Sequence, residues 1–69
     1  MTQNDMVLAY MRDNGSITPK EAINDLGCMR LGARIYDLKR RGVTIRREMV
    51  RQENRYGKEV TFARYRLAE

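Results

Sequence analysis

The residues best suited to chemistry in this sequence are its arginines. Eleven of the fourteen basic residues are arginine, against nine aspartates and glutamates. The planar guanidinium fork matches phosphate oxygens and guanine edges better than a compact ammonium does. These charges are unevenly spread. Residues 1–29 carry two basic and four acidic side chains, a net −2, whereas residues 30–69 carry twelve against five, a net +7. An asymmetry of this sign points to a polyanionic partner, nucleic acid ahead of a membrane surface; the plain alternative is a solubilising surface on a small domain.

Other chemistries lack their parts. Histidine is absent and Cys28 is the single cysteine. Neither a structural zinc site nor a Ser-His-Asp or Cys-His nucleophile can be assembled, and no intrachain disulfide can form. No enzyme activity, metal, cofactor or small-molecule substrate is therefore expected. With 69 residues, 42% apolar and 33% charged, the chain has room for one domain over 1–69. A chain of this size buries only about 60% of its unfolded surface, so its core is small. No apolar run reaches the roughly 18 residues of a membrane span. The opening MTQND has neither the basic nor the apolar region of a secretory signal. A lone thiol suits a reducing compartment, so the expected location is the cytoplasm.

The arginines need elements to position them. Thr2 and Asp5 form a capping box, and Val7, Leu8 and Met11 follow at helical spacing until Asn14-Gly15, with Tyr10 beside the stripe. Thr18-Pro19-Lys20-Glu21 is a stronger start signal: a cap, a proline where its missing N–H costs nothing, and the closing glutamate. Ala22, Ile23 and Leu26 form the stripe predicted to be buried, and Gly27 ends the helix. A turn of Gly27-Cys28-Met29 leads to a third helix from about Arg30 to Arg41, closed by Gly42. Leu31, Ile35 and Leu38 share its inner face. The outer side then carries Met29, Ala33, Tyr36, Asp37 and Arg40, flanked by Arg30, Lys39 and Arg41. Beyond Gly42 the period falls to two, and the runs 43–50 and 59–67 predict a β-hairpin around a long tip. Pairing Ile45 with Tyr65 would set Arg47 opposite Ala63 and Met49 opposite Thr61, unless a bulge intervenes.

Three helices and a hairpin in this order predict an α+β fold, a winged helix-turn-helix, in which a short glycine-containing turn sets the angle between the second and third helices. Thr18, Glu21-Ala22, Leu26-Gly27, Arg30-Leu31, Arg34-Ile35, Leu38-Lys39, Gly42, Ile45 and Tyr65-x-Leu67 stand in an order that resembles the small winged helix-turn-helix proteins of bacteriophages and prophages. The resemblance spans about residues 16–67 and implies DNA binding in a regulatory role. One departure is Gly32, where alanine or serine is expected. It costs about 1 kcal/mol in a helix interior, and either admits a close backbone approach or is drift. Cys28, in the turn, reads as a small buried filler.

Within that frame the candidate DNA-binding residues are Thr18, Lys20, Arg30, Arg34, Tyr36, Arg40, Arg51, Arg55 and Lys58. Arg30 opens the third helix, the end that reaches base edges, and Tyr36 and Arg40 face away from the core. Tyr36 packing on the wing is the competing reading. Arg34 is open between a DNA contact and a pair with Asp37. Arg51, Arg55 and Lys58 suit a wing on a phosphate backbone, or a solvated loop diluted by Glu53 and Glu59. Thr18 and Lys20 stand where a helix N-terminus meets a phosphate, and Thr18 caps in either case. Val50, Val60 and Phe62 share one hairpin parity. They read as a dimer contact, as packing on the first helix, or as a register shifted so that Phe62 is buried, the last being preferred.

The function expected is duplex-DNA binding, as a phage-type transcriptional regulator or excisionase-like accessory factor, with a homodimer or partner protein supplying further contacts. The competing class is a protein-interaction module on the same scaffold, marked by an apolar patch at Met29, Tyr36 or Phe62. Single-strand binding is disfavoured, because the aromatics form no stacking group in sequence.

Overall fold

Two threonines open the first two helices in the same way. In the computed structural model, which describes residues 1–68, Thr2 Oγ1 accepts the Asp5 N–H at 3.1 Å while the Asp5 carboxylate accepts the Thr2 N–H at 3.3 Å, starting α1 over Gln3–Asn14. Thr18 and Glu21 repeat the exchange at 3.3 and 3.0 Å and start α2 over Pro19–Leu26. Gly27, at φ 65°, ends α2 in the left-handed conformation that only glycine adopts freely. The third helix, α3, spans Leu31–Arg40 and has no side-chain cap. Arg30 is its N-cap at φ −128°, so the turn is one residue longer than the helical pattern predicts.

Strands β1 (Ile45–Glu53) and β2 (Glu59–Leu67) form an antiparallel hairpin. The link between α1 and α2 adds a one-residue bridge on the other side of β2: Ile17 and Tyr65 exchange backbone hydrogen bonds at 2.8 and 2.9 Å. The three helices and the sheet enclose one apolar cluster made of Val7, Met11, Ile17, Ala22, Cys28, Leu31, Ile35, Leu38 and Ile45. The inner face expected of α3 is thus the observed one, and Cys28 is buried. Ile23 departs from expectation. It is 46% exposed, because an eight-residue helix lying on so small a core buries only Ala22 fully and half-buries Leu26.

The register departs as well. Ile45 pairs with Leu67, so Arg47 lies opposite Tyr65, Met49 opposite Ala63 and Val50 opposite Phe62. The turn sets this. The Asn54 N–H donates to the Lys58 carbonyl at 2.8 Å, Asn54 Oδ1 accepts the N–H groups of Tyr56 and Lys58 at 3.0 Å each, and Gly57 takes φ 77°. Asn54 and Lys58 thus bracket a three-residue turn, 55–57, closed by a left-handed glycine, which is a favoured hairpin connection. It places Glu53 opposite Glu59 and propagates every other rung. The slip from the expected pairing is two residues, so each side chain keeps its face. Val50, Val60 and Phe62 accordingly do share one face. No change of parity buries Phe62, which is half-buried beside the start of α2. No helix is long and apolar enough to cross a membrane among the described residues.

Candidate nucleic-acid interface

The exposed side of α3 is decided by where its other flank goes. Asp37 accepts from Asn4 Nδ2 of α1 at 3.4 Å and pairs with Arg34 at 3.2 Å, while Arg41 reaches Asp5 at 4.0 Å. This flank lies against α1. Of the two readings left open for Arg34, the geometry is that of the ion pair. Asp37 and Ala33 are half-buried, not outward as the helical wheel had placed them. What remains open along α3 is a stripe of Gly32, Tyr36, Lys39 and Arg40. Tyr36 is 61% exposed and the Arg40 guanidinium stands 5.8 Å from its ring centroid, a cation–π contact that holds the arginine on the helix surface.

This stripe faces the base of the hairpin. Gly32, Ile35, Tyr36 and Lys39 line a groove of about 330 Å³ with Arg47 of β1 and Tyr65 of β2. Arg47 shares its strand parity with Ile45, which is buried, so the side of the hairpin that seals the core also turns Arg47 toward α3. Arg51 is on the same side and pairs loosely with Glu59 at 3.9 Å. Lys39 and Arg47 were not among the expected contacts. The signal for Arg47 was its parity with Ile45; for Lys39 it was the seven-residue spacing from Gly32.

A second, larger cleft of about 680 Å³ opens on the opposite hairpin face. There Thr18 and Lys20, at the start of α2, meet Arg55 of the tip, Arg64, and the apolar Val60 and Phe62. Thr18, Lys20 and Arg55 are thus brought together as a group distinct from the α3 stripe. Lys58 is exposed at the tip, and Arg30 is exposed ahead of α3 beside Met29, which is 77% exposed.

Charge pairing sorts the cations further. Arg64 and Arg66 both meet Glu48 Oε1, at 3.6 and 2.8 Å. The Arg66 hydrogen bond, followed by the Coulombic pull of both guanidiniums, holds that carboxyl below its ordinary value. Among the described residues, Lys20, Arg30, Lys39, Arg40, Arg47, Arg55 and Lys58 have no carboxylate within 4.0 Å. None of these charges is neutralised by a direct ion pair there, although Glu21 and Glu53 line the cleft that holds Lys20 and Arg55. Tyr10 belongs to neither cleft. Its hydroxyl donates to Asp25 at 2.6 Å and lies 3.4 Å from Glu21, tying α1 to α2. The bond to Asp25 pushes its ionisation up to about 12. No cluster of three or more Cys, Asp or Glu capable of holding a metal exists among the described residues.

The chain matches the family model for a winged helix-turn-helix domain over residues 2–69. No curated protein and no solved structure matches it.

Proposed function

We propose, from the premise that this chain belongs to the family of winged helix-turn-helix domains, that it binds duplex DNA through the outer stripe of α3 and the adjoining wing. The observation that carries the proposal is the stripe itself. Packing Leu31, Ile35 and Leu38 inward leaves Lys39 and Arg40 exposed on a helix that opens onto Arg47 of the hairpin, none of the three having an ion-pair partner among the described residues. A helix about 10–12 Å across fits the major groove, and a hairpin beside it reaches the neighbouring backbone. In this reading Tyr36 and Arg40 face base edges, with Arg30 at the leading end. Arg51, Arg55 and Lys58 lie along phosphates, and Thr18 and Lys20 meet a phosphate at the start of α2. For Arg34 we favour the structural role over a DNA contact, because it pairs with Asp37, which in turn accepts from Asn4 of α1. A single module of this size offers few base contacts. A regulator or excisionase-like accessory factor of the phage type would therefore gain affinity from a second copy, repeated sites or a partner protein.

The test is fluorescence anisotropy on a 20-base-pair duplex of random sequence across a salt series. Binding is expected at low salt, with log K falling by about 0.9 per log unit of salt for each phosphate neutralised. Arg30→Ala and Arg55→Ala should each weaken it. Absence of binding at low salt would refute the proposal, and salt-insensitive capture of a protein partner would favour an interaction module instead.

A further inference from the structure

The geometry points to a seat for one phosphodiester strand in the groove between α3 and β1, with Gly32 as its point of closest approach. This rests on the DNA-binding reading above and adds Gly32, Lys39 and Arg47 to it. Gly32 stands in an ordinary helical conformation, since it is not among the glycines with positive φ. A Cβ built on it meets nothing within 4 Å. The fold therefore makes no use of the missing side chain, although glycine weakens a helix relative to alanine. What the position does have is an outlook. It lies on the exposed stripe of α3 and lines the groove with Tyr36, Lys39 and Arg47, over a floor of Ile35 and Tyr65.

The groove's charge selects its occupant. Lys39 and Arg47 are the charged residues lining it, no carboxylate does, and neither cation has an ion-pair partner among the described residues. The site is cationic and lies between a helix and a strand, so the occupant it favours is an anion. Its place in the fold says which anion. When a helix enters the major groove and an adjoining hairpin reaches past its edge, the sugar–phosphate strand bordering that groove passes through the space between them. In this molecule that space is the groove. A side chain at position 32 would hold the strand away from α3, and glycine lets the strand approach the backbone between the two cations.

The experiment compares wild type with Gly32→Ala, Gly32→Leu and Arg47→Gln by thermal melting and by anisotropy on a 20-base-pair duplex at 50 mM KCl. Gly32→Ala is expected to melt about 2–6 °C higher, because the helix gains and nothing clashes. Its affinity is expected to fall by about three- to tenfold, and that of Gly32→Leu further, as the strand is displaced from its contacts. Arg47→Gln should reduce the slope of log K on log salt by about 0.9. A Gly32→Ala protein that melts higher and binds as wild type would overturn the inference while leaving DNA binding intact. A lower melting temperature would overturn it too, since the glycine would then serve the fold. So would an unchanged slope for Arg47→Gln. Failure of the wild type to bind duplex at 50 mM KCl would instead strike the DNA-binding reading itself.

Discussion

Thr18 offers the most exacting test of how α2 is held. The residue is 6% exposed. Its hydroxyl accepts the Glu21 N–H at 3.3 Å and lies 3.1 Å from Glu21 Oε1, and that carboxylate accepts the Thr18 N–H at 3.0 Å. Replacing Thr18 by alanine removes the cap, which costs about 1 kcal/mol. It also removes a buried methyl group, worth about 0.8 kcal/mol as a transferred methylene-sized unit. The expected loss is therefore about 2 kcal/mol. At about 0.05–0.15 kcal/mol per residue a chain of this length has roughly 3.5–10 kcal/mol of total stability, so the loss is a fifth to a half of the whole. Thr18→Ser keeps the oxygen and drops the methyl, and should lose about half as much. Thr2→Ala breaks the same motif at an exposed site and should lose less than half as much. Urea unfolding followed by circular dichroism at 222 nm measures all three. Equal losses for Thr18→Ser and Thr18→Ala, or for Thr2→Ala and Thr18→Ala, would refute the claim that burial of this cap is what distinguishes it.

Leu38, 1% exposed at the centre of the core, should cost about 2–5 kcal/mol when cut to alanine, and the same urea titration would show a loss approaching the total stability. Arg34→Gln and Arg55→Gln should separate by assay: the first lowers the melting temperature and leaves the salt slope of DNA binding unchanged, the second reduces that slope by about 0.9 with no effect on melting. Tyr10 should appear as a late phenolate. In a spectrophotometric titration, the difference between wild type and Tyr10→Phe should be centred near pH 12. Because folding raises that value, the stability it contributes is present below about pH 10 and is lost as pH climbs from there toward 12. Glu48 has the opposite sign. Its depressed carboxyl contributes stability present above about pH 4.5 and lost as pH falls below it, so Glu48→Gln should flatten the acid limb of a stability–pH profile.

Much of the architecture was legible because it is written in local signals. Both capping boxes, the proline at the first position of α2 and the glycines closing α1 and α2 act within four residues of chain, and each did what its chemistry dictates. The inner face of α3 was equally plain, since Leu31, Ile35 and Leu38 are its only large aliphatic residues. The outer face was not. A helical wheel gives angles but not neighbours, and it was α1, through Asn4 and Asp5, that drew Asp37, Arg34 and Arg41 to one side and left Gly32 and Lys39 on the other.

The chain alone determined that three helices and a hairpin would form, that one face of each would be apolar, and that the second half would be cationic, because propensity, periodicity and charge are properties of neighbouring residues. Tertiary structure decided which cations stay unpaired and which stand together. The loop of Asn54 to Lys58 chose the rung on which Arg47 meets Tyr65, and packing on Ile45 turned that arginine toward α3. Such choices depend on groups far apart in sequence whose distances only the closed fold sets.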